Sequence, residues 1–307
     1  MNEILIPQTL HANLSSKDEL KWLSTLPTLI SKLANQWALT LGEPFGAEAS
    51  CSWVAPCTRA DGSNAVLKVG LPHMEAKDEI EGMRFWHGDP TAYLLDADKA
   101  HNALLLERCI PGTVLRTYPE EEQDVVIAQL LRRLWRSPAA SYKPKEQTFD
   151  PQMEGEGLAQ ADFTFRPLSE MVAYWIEETE KRSDEWLDPT IVQAGIQVYE
   201  ELVESTTEHM LLATDLHAGN VLRAARAPWL VIDPKPFVGD PAYDATQHLF
   251  NCWRRMESNP LETIDRFAAL LEVDAERVKM WFFARLATGS ERSNQKEKII
   301  LARTLAP

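Results

Sequence analysis

Hydrophobic and polar positions follow two different rhythms along this chain, and the change of rhythm divides it. Residues 37–70 carry β-branched and aromatic residues, glycines at intervals and an "ADGSN" turn at 60–64, which predicts three antiparallel strands joined by hairpins. Ahead of them, "SSKDELKWL" pairs Ser16 with Glu19 as a capping box, and Pro27 is expected to split that region into two short helices. A helix is predicted over 74–87, then a strand pair over 91–96 and 103–108 around "DADKAHN". Beyond "IPG" at 110–112 the helical period takes over, across 120–136, 168–182, 190–209, 241–257, 260–271 and 274–287. Only the stretch 211–222 and its continuation, 220–233, read as strands there. The expected fold is therefore α+β and bilobal. A small antiparallel-sheet N-terminal lobe spans 1–108, a larger, mostly helical C-terminal lobe spans 109–307, and the hinge lies near 107–112.

Charge narrows the partners. The chain has 307 residues and a formal net charge of −15, a field that repels nucleic acid and anionic membrane and favours cationic ligands. Cys51, Cys57, Cys109 and Cys252 are scattered, which suggests free thiols in a reducing compartment and neither a zinc site nor a disulfide framework. The N-terminus has no basic leader, and no apolar run approaches the length of a membrane span. The expectation is a cytoplasmic, monomeric protein.

The candidate chemistry lies in "LLATDLHAGNVL", residues 211–222, where Asp215, His217 and Asn220 sit inside an apolar frame. Unpartnered, such groups are costly to bury. The continuation "NVLRAARAPWLVIDP" reads as a hairpin that pairs 220–224 with 229–233 and sets Asn220 opposite Asp233. An amide oxygen and a carboxylate together suit Mg²⁺. Asp215 precedes Asn220 by five residues, and Asp233 follows it by thirteen, the spacing of a phosphoryl-transfer catalytic loop. In "AVLKVG", alternation puts Val66 and Lys68 on one face of a strand and Ala65, Leu67 and Val69 on the other. A lysine there needs a counter-charge. Glu79 shares a helix face with Met83 and Trp86 and is the preferred partner; Glu75 lies a turn earlier, and Glu81 is rotated away.

These segments, with "WALTLGEPF", "ALLLERCIPGTVL" and "VIDPKPFVGDPAYDATQHL", resemble the aminoglycoside/hydroxyurea phosphotransferase group of the kinase-like fold, which includes streptomycin 6-phosphotransferases. The resemblance covers most of 37–115 and 211–250. It implies ATP and Mg²⁺ as cofactors and a small cationic acceptor phosphorylated on a hydroxyl, with Asp215 catalytic and Asn220 and Asp233 the metal ligands. Lys68 would hold the nucleotide phosphates, Glu79 would pair with Lys68, Val66 would roof the base, and the backbone of Arg108 and Ile110 would meet adenine. Asp244 is expected to anchor the catalytic loop, His217 to hold its shape, and Asp240 to cap the following helix. Two departures stand out: Ala213 and Thr214 occupy the place of the His-Gly found in most of the wider phosphotransferase family, and the loop at 42–50, including Ser50, lacks the Gly-x-Gly-x-x-Gly pattern. The alternatives are a metabolic kinase for a choline-like amino alcohol and a nucleotide-binding regulator without turnover.

Overall fold

A computed structural model describes residues 4–46, 51–138, 164–289 and 295–307. The chain forms two compact units, Met1–Val114 with Leu222–Ile232, and Leu115–Val221 with Asp233–Pro307. The boundary thus falls at 114/115 where 108/109 was expected, and the 222–232 hairpin joins the first unit.

In chain order the first unit contains α1 (Gln8–Asn13), α2 (Lys17–Gln36), β1 (Thr40–Leu41), β2 (Ser52–Thr58), β3 (Asn64–Gly70), α3 (Glu79–Trp86), β4 (Leu94–Asp98), β5 (Ala103–Glu107) and β6 (Pro111–Val114). Five of these strands form a sheet in the order β1-β2-β3-β5-β4, with antiparallel neighbours. The period-two pattern of β3 works as expected. Ala65, Leu67 and Val69 are buried in a core with Leu23, Leu26, Ile30 and Leu33 of α2. On the other face Val66 packs against Ile80, Met83, Leu104 and Leu106.

α2 starts at the predicted capping box, where Ser16 Oγ accepts from the Glu19 amide and the Glu19 carboxylate accepts from the Ser16 amide. The expected break at Pro27 does not occur; the helix runs through it. Proline in a helix interior costs ~3 kcal/mol. Fully burying each of four apolar side chains is worth about 1.5–3 kcal/mol, so one continuous apolar face wins. The helix predicted over 74–87 is a 3₁₀ turn, Glu75–Asp78, followed by α3.

The second unit contains α4 (Glu120–Leu134), α5 (Leu168–Glu180), α6 (Pro189–Glu204) and β7 (Met210–Leu212). The chain then runs through β8 (Val221–Ala224) and β9 (Leu230–Val231), returns with β10 (Phe237–Gly239), and finishes in α7 (Pro241–Asn251), α8 (Trp253–Ser258), α9 (Pro260–Leu271), α10 (Ala275–Thr288) and α11 (Gln295–Leu305). The helix expected over 241–257 is interrupted at Cys252. β7 and β10 pair antiparallel, Leu211 opposite Val238. α10 buries Trp281, Phe282, Phe283 and Ala284 completely, as a helix apolar on nearly every side must. Gly195 of α6 permits its close approach; a Cβ there would stand 2.5 Å from that of Ala287.

Among the described residues no helix is long and apolar enough to cross a membrane. None of the four cysteines forms a disulfide, and burial pushes the thiols of Cys57 and Cys109 up to about 11 and that of Cys252 up to about 12.

Candidate active site

The first unit brings Lys68 and Glu79 together. Lys68 Nζ lies 2.5 Å from Glu79 Oε1, and the residues are 5% and 1% exposed. Their burial is possible because each neutralises the other. Glu81 faces outward to Arg84 and Lys99. Val66 is half-buried on the Lys68 face of β3. Arg108 and Ile110 follow β5, Arg108 exposed and Ile110 48% exposed. Gly42 and Phe45 donate backbone hydrogen bonds to Pro56 and Val54 alongside β2, and Ser50 lies outside the described residues.

The second unit brings Asp215 and Asn220 together. Residues 213–220 run from β7 into a 3₁₀ turn, Ala218–Asn220, at the start of β8. Asn220 Nδ2 donates to the Asp215 carbonyl at 3.1 Å, which fixes the amide and assigns Oδ1 as its acceptor atom. Asn220 and Asp233 both lie just outside the strands that were expected to contain them. Asp233 has a left-handed backbone, φ 56°, which aspartate tolerates better than most residues. β9 ends early, and its Val231 backbone bonds to Pro90 and Ala92.

Asp244, on α7, clamps the loop. Its Oδ1 accepts from the Thr214 amide at 2.7 Å, and its Oδ2 from the Ala213 amide and Trp135 Nε1, both at 2.9 Å. Burial pushes this carboxyl up to about 6, against those three donors. His217 also holds the loop. His217 Nδ1 accepts from the Gly219 amide at 3.0 Å and lies 3.0 Å from Arg116 Nη2, which also donates to Asn251 Oδ1. Burial, and then the Arg116 charge, lower the imidazole to about 4, so its Nδ1 stays an acceptor. Glycine at 219 makes room for both side chains: a Cβ would sit 2.6 Å from Arg116 Nη2 and 2.7 Å from His217 Cε1, so they would have to shift.

Thr214 precedes Asp215 in an uncommon backbone conformation. It has φ 45°, a conformation costing a residue with a Cβ about 1–2 kcal/mol. Two bonds hold it there, its amide to Asp244 and its Oγ1 to the Lys235 carbonyl at 2.6 Å. The Ala213 carbonyl accepts from the Lys235 amide at 2.8 Å and from the Asp215 amide at 2.6 Å. The 213–220 loop is thereby laced to the segment after Asp233.

Lys235, Arg116, Trp135 and Asn251 were not identified from sequence. Lys235 is 4% exposed and its Nζ forms an ion pair with Asp233 Oδ1. A lysine between two prolines in an apolar run was a usable signal; Arg116 stands 101 residues from His217 and gave none. Among the acidic residues of α4 and α5, Glu177 and Glu178 pair with Lys181, while Asp124 turns inward to His248, Arg255 and Arg266. Asp124, His248 and Cys252 could geometrically surround an ion. Two guanidiniums already hold the carboxylate, and the thiol is far from its ligand form. As a donor set, Asn220 Oδ1 and the Asp233 carboxylate are hard oxygens and fit Mg²⁺.

Asp240 caps α7 by accepting from the Ala242 amide, with Pro241 in the first turn, as expected. Its other oxygen takes Arg277 and Trp281 Nε1, which ties α7 to α10.

Comparison with known proteins supplies the family. Residues 36–296 match the family described as aminoglycoside/hydroxyurea antibiotic resistance kinase. The chain is 32% identical over 276 residues to streptomycin 6-kinase of Streptomyces griseus, covering 86% of this chain and 82% of that protein. It is 30% identical over 271 residues to hydroxyurea phosphotransferase of Kitasatospora aureofaciens, covering 87% and 72%. Among solved structures, the choline kinase LicA from Streptococcus pneumoniae shares the fold at TM-score 0.56 and 13% identity, over 91% of this chain and 98% of that one.

Proposed function

The chain belongs to the aminoglycoside/hydroxyurea antibiotic resistance kinase family, and from that premise we propose that it transfers the γ-phosphoryl group of ATP to a hydroxyl of an aminoglycoside of the streptomycin type. The observation that carries this reading is the Asp215 loop, which is over-determined by Asp244, His217 and Thr214. A loop held so firmly suits a carboxylate that must meet an acceptor hydroxyl in one orientation. Asp215 orients that hydroxyl and takes its proton late, since a loose transition state demands little base strength. Lys68, held in place by Glu79, binds the α- and β-phosphates; Val66 packs on the base; the Arg108 and Ile110 backbone meets the adenine edge. Asn220 and Asp233 would hold Mg²⁺, which supplies charge neutralisation at the phosphate oxygens. The net charge of −15 supports a polycationic acceptor.

The test is ADP release measured with ATP and, separately, streptomycin, other aminoglycosides, hydroxyurea and choline. Streptomycin-dependent ADP release with a matching mass increase on the antibiotic is expected. Turnover on hydroxyurea or choline alone would replace the acceptor assignment, and none on any acceptor would leave the regulator. Asp215→Asn should lower kcat by about 10²-fold or more while the protein stays folded; near-normal turnover would remove Asp215 from its role.

A further inference from the structure

Lys235 is absent from the chemistry above, yet it is among the most constrained charged residues in the molecule. It is 96% buried, and its ammonium is ion-paired with Asp233 Oδ1. Its backbone is fastened at both ends to the catalytic loop, the amide to the Ala213 carbonyl and the carbonyl to Thr214 Oγ1. Pro234 and Pro236 flank it and fix φ on either side, so the main chain has little freedom to carry the ammonium away. Ordering a lysine this completely gives up rotamer freedom and hydration, and the carboxylate in contact helps to offset that.

We propose that Lys235 is the resident counter-ion of Asp233, a positioning residue that holds the carboxylate in place and closes it to a free divalent cation until a nucleotide's phosphates arrive with it. The proposal rests on the reading of Asp233 as a metal ligand. A fixed positive charge beside a carboxylate repels a second cation there, and a divalent one twice as strongly as a monovalent one. Phosphate oxygens bring enough negative charge to reverse that balance. The site would then accept metal with nucleotide and reject metal alone, so an empty enzyme does not sequester the ion. Lys235 is also fastened to the residues on either side of the Thr214 amide, so Asp233 and the Asp215 loop are held in one register.

Mn²⁺ binding followed by electron paramagnetic resonance tests this without reference to turnover. With a non-hydrolysable ATP analogue present, wild-type protein should bind Mn²⁺ and Asp233→Asn should not. Equal binding by the two removes Asp233 as a ligand and takes this proposal with it. Without nucleotide, wild-type protein should bind no more Mn²⁺ than Asp233→Asn. Lys235→Met should bind it at least roughly ten-fold more tightly than wild type. The gain should vanish in the Lys235→Met/Asp233→Asn double variant, and Lys235→Arg, which keeps the charge, should stay near wild type. A nucleotide-free wild type that binds Mn²⁺ through Asp233 would overturn the proposal and requires no variant to fold. So would a Lys235→Met protein with native circular dichroism that binds Mn²⁺ no more tightly than wild type.

Discussion

His217 and Asp244 hold the same loop and titrate in opposite directions. Asp244 has an ordinary value of 3.8 and is raised by burial to about 6, so between those values the folded protein keeps a proton that the unfolded chain releases. Its contribution to stability therefore falls as pH rises through that window. His217 is lowered, chiefly by burial, from 6.5 to about 4, so the unfolded chain binds the extra proton. Its contribution is complete above about 6.5 and is lost as pH falls towards 4. The two slopes are each close to one proton and cancel over most of the range between. Removing the imidazole should expose the other slope. His217→Gln is expected to gain stability relative to wild type as pH is lowered from about 6 to about 4, by up to ~1.4 kcal/mol per pH unit. Urea unfolding across that range reads it, and parallel pH profiles for the two proteins would refute the pairing. Asp124 stays out of this window. Burial pushes its carboxyl up, but His248 and Arg255 pull it down to about 2, so its contribution is lost only below 3.8.

At the scale of elements, the β8–β9 hairpin links the two metal-ligand candidates along the chain, and Arg226 secures it within the first unit. Its guanidinium bonds both Glu107 carboxylate oxygens, the Gly88 carbonyl and the Thr91 carbonyl, and lies 4.0 Å from the Tyr93 ring centroid. Arg226→Ala should cost about 2 kcal/mol, because a half-buried Glu107 and two carbonyls lose their donor together. Arg226→Lys should recover little, since an ammonium cannot reproduce the planar fork. Faster amide exchange confined to Leu222–Ala224 and Leu230–Val231 would locate the effect; unchanged exchange there would show that the hairpin is held by its strands alone. This anchoring also explains what the sequence left illegible. Hairpin and strand alternation were readable because period two is local, as with Lys68 opposite Ala65 and Leu67 on β3. The hairpin's membership of the first unit depends on contacts 119 residues apart, which no local pattern encodes. Pro27 misled because a local cost was outweighed by a buried face, and β10 was missed because three residues are too few to show a period. Asp215 and Asn220 were legible as polar residues in an apolar frame, and Asp244 through the family resemblance; Arg116 and Asn251 lie in surface-like sequence and acquire meaning only beside His217.

For the molecule as a whole, the net charge of −15 bears on acceptor and nucleotide with opposite signs. A polycationic acceptor is drawn towards such a protein, and an anionic nucleotide is repelled except where, on the proposed reading, Lys68 and Mg²⁺ would receive it. Salt screens both effects, with a Debye length of about 10 Å at 0.1 M that shrinks to roughly 3 Å at 1 M. With a streptomycin-type acceptor, KM for the acceptor should rise several-fold as ionic strength increases across that range, whereas KM for ATP should fall or stay level. kcat should change little, because the Asp244 and Lys68–Glu79 contacts are buried and screened less. The same measurement separates acceptor classes. A neutral acceptor such as hydroxyurea has no long-range attraction to lose, so its KM should be nearly flat in salt. Parallel steady-state titrations of both acceptors therefore ask whether the acidity serves recognition. A rise confined to the cationic acceptor would tie the net charge to substrate choice, and identical salt dependence for both would reduce it to a contribution to solubility.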